Sequence, residues 1–600
     1  MKPRAPLTLL AFAALAIALC LAGCSQSGGT SGSQVEQKTF PLVLQKDSEE
    51  AVEESEMNLY FVDGGDVPYV AASEFLPFFG SLYEDKNVDT PAIEFTMERV
   101  GDYIQGKRTD TEWAMDFNPK TDTIEFVSYD DFLQAPGDSA LVSLVQIGED
   151  GTGGGANLLK DSGNSYDRRG LGTTFEMAEY FIDIVEKDGE CYVPLQTMHD
   201  ILLARNYYYT VFNGQKVFVF AYGCDLNDQI YSVEPGQMSE EFAQFNYNEL
   251  RFMLDNFYGL KPEHNISDFN SFAFDVDAYG GLSSTDPAAF DMALEKLTSR
   301  YLDDLHSGFT HGSCLAPEVA QGAEGEEGAD TLETDGDVAG VSMGRAFLNT
   351  LSYGSARMKH NPDMNLLDEE HPVFKYEEVG DTAIVTFDSF TMDKKDYYKD
   401  ADLDNPKDTI ELIAAAHKQI TRKDSPVKNV VLDLSCNGGG NADAAAFVIA
   451  WFTGSTSLGL RNTLTGAQSV VSYNADVNLD GEFDPYEDSL LMKTTTGELK
   501  LFCMTSPNSF SCGNLVPAAF EDALGITLIG KATGGGSCVV LPCTTASGAQ
   551  FQVSGTSQIS VIKNGSFYNT DAGIDVDATI ISTDTMYDRE QLVEFIHRLK

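Results

Sequence analysis

Val427-Lys428-Asn429-Val430-Val431-Leu432-Asp433-Leu434-Ser435-Cys436-Asn437-Gly438-Gly439-Gly440 decides the fold class. The apolar run from Val427 to Leu434 suits a strand buried on both faces of a parallel sheet. The Ala-rich stretch from Ala442 to Phe452 reads as the helix that follows it. Three glycines between them let backbone N–H groups approach a ligand closely and point into a cleft. The run lacks the Gly-Lys-Ser/Thr ending of a P-loop and the spacing of a dinucleotide fingerprint, and a nest for an oxyanion fits it as well as a phosphate does. The same unit recurs downstream. Leu499 to Met504 is a strand candidate, followed by Asn508-Ser509-Phe510-Ser511-Cys512-Gly513-Asn514 and a helix from Leu515 to Leu524. Ile526 to Gly530 is a third strand, entering Gly530-Lys531-Ala532-Thr533-Gly534-Gly535-Gly536. With the strand Thr382–Phe387 and the amphipathic helix Thr409–Ile420 upstream, the series predicts an α/β core, a mostly parallel sheet with flanking helices.

A hydroxyl on the turn at Ser511 stands at a helix N-terminus, where free N–H groups favour a developing oxyanion. Taken alone, Ser511 reads as an ordinary N-cap. Taken together, the three phrases resemble those of the C-terminal-processing (tail-specific) serine peptidase family. Asp433 to Gly439 is similar to its Asp-Leu-Arg-x-Asn-x-Gly-Gly phrase, Ser511 to Asn514 to its Ser-Ala-x-Glu phrase, and Gly530 to Gly535 to its Gly-x-x-Thr-x-Gly phrase. Tyr568 to Asp577 resembles its later Gly-(Ile/Val)-x-Pro-Asp phrase. The resemblance implies a crotonase-like peptidase core acting on a peptide or protein substrate, with Ser511 as nucleophile. It implies oxyanion donors from the backbone N–H groups of Gly438 or Gly439 and of Cys512. The bacterial processing branch places a Lys base where this chain has Gly536, and neither Lys531 nor Lys563 takes that place. The resemblance is therefore closer to the tricorn-core-like branch, which uses a His from the preceding helical region. His306 in Asp304-Leu305-His306-Ser307-Gly308 matches that position, and His311 is its nearest rival. A His of pKa ~6.5 can take a serine proton at neutral pH, worth about 10²–10⁴-fold in rate. Asp571, beside the position of that branch's Glu, is the expected orienting acid, with Ser307 as neighbour of the imidazole. The family's peptide-binding PDZ module has no counterpart. A non-catalytic binding protein on the same fold is the alternative, since Asn514 stands where the family has Glu. An adhesion or spacer role seated in residues 57–230 is a third reading.

Composition sets the surroundings. Lys and Arg number 39 against 93 Asp and Glu, a net charge of −54. That excludes a nucleic-acid binder held by phosphate contacts, and electrostatic docking on an anionic membrane. Lys2 and Arg4 precede the apolar run Leu9–Leu21, which is short for a bilayer span of roughly 20 residues. Leu21-Ala22-Gly23-Cys24 then resembles the lipobox of bacterial lipoproteins. This implies a signal peptide over 1–24 and a lipid on Cys24 that anchors the protein to the extracytoplasmic face of the cell membrane. An ordinary secretory signal is the alternative. Eight cysteines remain beyond Cys24, so disulfides are possible, and no C-x-x-C pair suggests a metal or redox site.

Residues 25–56 read as a disordered tether and 57–230 as a small α+β module, similar to the stalk modules of secreted Gram-positive proteins. Residues 238–312 form a helical N-terminal part of the peptidase, 313–370 an acidic insertion, and 371–600 the core. Asp476-Val477-Asn478-Leu479-Asp480-Gly481-Glu482-Phe483-Asp484-Pro485-Tyr486-Glu487 matches an EF-hand Ca²⁺ loop. Its ligands would be Asp476, Asn478, Asp480, the Glu482 carbonyl, Asp484 and Glu487, with Gly481 at the sharp turn. A structural Ca²⁺ and no organic cofactor is the expectation.

Overall fold

In the computed structural model, the deciding stretch forms the strand Asn429–Asp433, buried along its whole length. The structure describes residues 33–48, 50–84, 90–135, 158–316, 345–365, 372–392, 402–484, 489–521, 523 and 525–599. The Asn429–Asp433 strand pairs in parallel with Thr382–Phe387 on one side and with Lys500–Thr505 on the other. Ile526–Gly530 and Ala578–Thr579 extend the parallel pairing, and Phe374–Val379 closes the opposite edge antiparallel. Val430 and Leu432 face the helices Thr409–Thr421, Ala442–Thr453 and Cys512–Phe520 through Ile413, Phe447, Trp451 and Leu515. Val431 faces the other way, towards Tyr353, Leu592 and Ile596. Successive side chains of a strand alternate faces. With both faces covered, the successive central positions Val430, Val431 and Leu432 are all apolar, which is why the run shows no alternation.

Three expected boundaries change. The segment expected as a tether, 25–56, contains the strand Val35–Gln45 and the start of Glu53–Val62, which pair antiparallel along their length. Leu42, Val43 and Leu44 are buried there, and the same strand runs parallel to Val217–Ala221. The charged residues that suggested disorder lie around the hairpin turn and on the exposed first part of Glu53–Val62. Residues 57–230 do not stand apart either. Their Leu159–Arg168 strand pairs with Gln468–Ala475, in the sheet that also holds Thr456–Asn462 and Gln550–Lys563. Phe75 and Leu202 share one core with Leu250, Phe257 and Phe551. The two strand–turn–strand phrases do form as expected, with Tyr69–Ala71 and Glu190–Pro194 pairing with each other in one seven-stranded sheet.

Residues 345–360, expected within a linker, form the helix Arg345–His360. Arg357 is fully buried and pairs with Asp388 through two bonds of 2.5 Å each. A bidentate guanidinium–carboxylate pair supplies the anchorage that an apolar stripe would normally give. The acidic run Glu324–Asp337 and the signal segment with Cys24 lie outside the described residues. The eight described cysteines are all free thiols. Among the described residues, no helix is long and apolar enough to cross a membrane.

Candidate active site

Three neighbouring parallel strands, Asn429–Asp433, Lys500–Thr505 and Ile526–Gly530, release their turns at one edge of the sheet. This carboxyl edge is where ligands bind in open α/β sheets. The turn after Lys500–Thr505 is stapled to both neighbours. Ser506 Oγ donates to the Ser435 carbonyl at 2.5 Å and Ser509 Oγ to that of Leu434 at 2.7 Å. Phe510 N–H donates to Asn437 O at 3.1 Å, and Ser511 N–H to Gly535 O at 3.0 Å.

Ser511 emerges from this turn with φ 55° and ψ −121°, immediately before the helix Cys512–Phe520. It occupies the N-cap place, yet its side chain makes no capping bond. The N-cap reading therefore fails. A non-glycine residue in such a conformation costs on the order of 1–3 kcal/mol and persists only where its surroundings enforce it. The close packing of Gly439 is part of that enforcement. With φ +112°, a Cβ on Gly439 would lie 2.6 Å from Ser511 Cβ and 3.1 Å from its Oγ.

The expected oxyanion donors change in part. Gly438 N–H is already donated to Asp388 O, and Gly439 N–H to Asn437 Oδ1, each at 3.0 Å. One bond ties the glycine run to the end of the neighbouring strand Thr382–Phe387 and the other closes its own turn, which consumes those two groups. Among the described residues, nothing accepts the N–H of Cys512, first of its helix, or that of exposed Gly440. The two residues adjoin, because Cys512 Sγ donates to Gly440 O at 3.2 Å.

His306 reaches the same place from outside the parallel sheet. The strand Gly308–His311 pairs with Gln550–Gln552 and brings the buried imidazole 4.7 Å from the Phe510 ring, centroid to centroid. Phe510 precedes Ser511, so the imidazole lies beside the Ser511 turn, and no hydrogen bond joins Ser511 Oγ to it in this structure. Behind the ring lies a chain of partners. His306 Nδ1 is 3.3 Å from Ser554 Oγ, and Ser554 Oγ donates to Asp304 Oδ1 at 2.9 Å. Asp304 also receives the N–H groups of His306 and Ser307 at 3.0 Å each, Ser307 Oγ at 2.7 Å and Tyr258 O–H at 3.1 Å. A carboxylate only accepts, so the Ser554 hydroxyl must donate to it and accept from Nδ1–H. That fixes the tautomer and leaves the lone pair on Nε2. Burial lowers the imidazole pKa well below its ordinary 6.5, opposed by the charge of Asp304.

The partner expected from the sequence is engaged elsewhere. Asp571 Oδ1 accepts from Ser537 N–H and Oγ at 2.7 and 2.8 Å, and its Oδ2 from Gln558 Nε2 at 2.8 Å. It ties the C-terminal phrase to the strand at Cys538, and Ser554 stands at the imidazole in its place. Ser554 and Asp304 carry no local motif, and only the pairing of distant strands gathers them. The rival His311 stacks on Tyr231 and meets Asn227 at 3.0 Å. Asn514, at the family's Glu position, accepts from Thr533 Oγ1 at 2.6 Å and donates to Thr570 O at 3.1 Å. Gly536 has φ +89° and its Cβ would lie 2.6 Å from the Phe510 ring, which leaves no room for a lysine there.

In the described part of the loop, Asp476–Asp484, Gly481 has φ 88° and donates its N–H to Asp476 Oδ2 at 2.7 Å. Asp476 Oδ1 and Asn478 Oδ1 both accept from Asp480 N–H, at 3.1 and 2.9 Å. Among the described residues, no three His, Cys, Asp or Glu side chains gather as a metal shell would. Glu487, the twelfth loop position, lies outside the described residues.

Residues 381–580 match the model of Peptidase family S41. The match takes in the parallel sheet, the three turns and Ser511, and it leaves out His306 and Asp304. No curated protein matches the sequence. Among solved structures, the chain is similar to a putative peptidase from Parabacteroides merdae at 14% identity and TM-score 0.39, over 60% of this chain and 96% of that one. A lipoprotein from Streptococcus agalactiae gives 14% and 0.32, over 61% and 98%. Mature CPAF complexed with lactacystin gives 10% and 0.36, over 60% and 98%.

Gly439→Ala is expected to push Ser511 out of its conformation without unfolding the sheet. Reaction of Ser511 with a phosphonylating reagent should slow by about 10²-fold or more, the order of one misplaced catalytic group, while the circular dichroism spectrum stays unchanged. Unaltered reactivity would show that the close approach is not what holds the serine.

Proposed function

We propose that this protein is a cell-surface serine-type endopeptidase that hydrolyses peptide bonds through an acyl-enzyme intermediate. The observation that carries the reading is Ser511 itself: a strained, half-exposed serine that caps nothing, at an open helix start beside a buried neutral histidine. The match to Peptidase family S41 supports it. In this reading a substrate lies extended along the sheet edge of a crotonase-like core. Ser511 Oγ attacks the scissile carbonyl and His306 Nε2 takes its proton. The N–H groups of Cys512 and Gly440 receive the oxyanion. The imidazolium then protonates the leaving amine, and a water activated by the same nitrogen releases the acyl group. The Ser511–His306 hydrogen bond tightens as substrate enters, a common behaviour of sites seen without ligand. Ser554 and Asp304 are positioning residues in this scheme.

That the hydrogen bond is not made here is also what favours the second reading, a peptide-binding protein that has kept the fold and lost turnover. The two separate in one assay. The wild type should cleave an unstructured protein substrate, Ser511→Ala should abolish cleavage, and His306→Ala should lower kcat/KM by about 10²–10⁴-fold. Because burial depresses the imidazole pKa, the base stays neutral below pH 6.5. The acid limb of kcat/KM should therefore lie below pH 6.5, with rates flat between pH 7 and 6. Cleavage by Ser511→Ala at the wild-type rate would remove the proposal.

Attachment to the outer face of the membrane through a lipid on Cys24 belongs to the same proposal, as does a Ca²⁺ ion bracing the Asp476–Glu487 loop between the glycine turn and Ser511. Asp476, Asn478, Asp480, the Glu482 carbonyl, Asp484 and Glu487 would hold the ion and stiffen that edge of the sheet. The melting temperature of the wild type should rise on adding Ca²⁺ after chelation, and that of Asp476→Ala should not. Identical wild-type melting curves with and without the ion would remove the calcium site.

A further inference from the structure

We propose that Asp443 is the substrate-selecting carboxylate of this site, and that it takes the cationic side chain, Lys or Arg, of the peptide residue whose carbonyl faces Ser511. The inference rests on the peptide-binding reading above.

Asp443 lies in the first turn of the helix Ala442–Thr453, three residues beyond Gly440. It is only 9% exposed, and its Oδ1 is sealed from solvent without a hydrogen-bond partner. Capping does not explain it, because Asn441 already caps this helix by accepting from Ala444 N–H at 3.0 Å. Among the described residues no cation pairs with it either, and burial alone holds its carboxyl up at about 7. An unpaired, nearly buried carboxylate is costly and is normally paired.

The place of this carboxylate identifies the missing partner. Its charge acts on the thiol of Cys512, and that thiol donates to Gly440 O at 3.2 Å. Asp443 thus follows exposed Gly440 by three residues, and its carboxylate is near enough to act on Cys512; these are the two residues whose free N–H groups flank Ser511. A carbonyl held by those N–H groups brings the side chain of its own residue along the same wall. An ammonium or guanidinium arriving there would supply the absent counter-charge in a desolvated setting, where charge-assisted hydrogen bonds are strongest. A neutral side chain would leave the carboxylate unpaired, and an acidic one would add repulsion. The net charge of −54 works in the same direction, raising the local concentration of cationic peptides.

The test measures binding in Ser511→Ala protein, so it does not depend on turnover. Three fluorescein-labelled hexapeptides are used, Ala-Ala-Ala-X-Ala-Ala with X as Lys, norleucine or Glu, and Kd is read by polarisation at pH 8. The Lys peptide should bind about 10-fold or more tighter than the norleucine peptide, and the Glu peptide weakest. Adding Asp443→Asn should remove the Lys advantage and leave the norleucine Kd within about twofold. Equal binding of the Lys and norleucine peptides, no binding of any of the three, or a Lys advantage that survives Asp443→Asn would overturn the proposal. The Lys–norleucine comparison needs no change at residue 443, so misfolding of the double variant cannot obscure it. Cleavage by the wild type reports separately on the hydrolase reading.

Discussion

Ser511 is held in a backbone conformation that side-chain-bearing residues rarely adopt, and the rest of the site follows from how that conformation is kept. The strain of roughly 1–3 kcal/mol is offset by four hydrogen bonds from residues 506–511 to the flanking turns, at about 1 kcal/mol net each. Two of the acceptors, Ser435 O and Leu434 O, close the Asn429–Asp433 strand, and Gly535 O belongs to the turn after Ile526–Gly530. Glycine at 439 lets the turns close to within contact. A parallel sheet is suited to this, because its turns leave at one edge and can be stapled side by side.

The base comes from a different part of the chain. The exit of the helix Glu240–Phe257 is fixed to the long Gln550–Lys563 strand, where Gly259 N–H donates to Ser554 O at 2.8 Å. The loop carrying Asp304 and His306 is fixed to the same strand through Gly308–Gln552. One strand thus carries Ser554 and positions both Tyr258 and Asp304 around it. The N-terminal sheets share the core beneath these elements, which gives them a part in holding the imidazole beyond any role as a stalk.

How far the sequence could be read depended on whether a feature is local. The parallel strands were legible because a strand buried on both faces leaves a continuous apolar run, and the glycine turns because positive φ and close approach select glycine. Ser511 and His306 came from phrases of adjacent residues, and the imidazole packs on Phe510, the residue before Ser511. The Val35–Gln45 strand was hidden by its composition: charges on its exposed half, and Pro41, which is unusual inside a strand. The helix Arg345–His360 was hidden because a buried ion pair anchors it. Ser554, Asp304 and Gly440 were missed because their roles depend on which hydrogen bonds neighbouring groups have already made. Gly438, Gly439 and Asp571 were over-read for the same reason: their polar groups are present but already occupied.

The most direct test of the account is covalent. The purified protein would be treated with a fluorophosphonate, digested, and the modified peptide sequenced by mass spectrometry. The account predicts a single adduct on Ser511, formed more slowly in Ser554→Ala, whose imidazole has lost the acceptor that fixes its tautomer. An adduct on another residue, or none on folded wild-type protein, would contradict it.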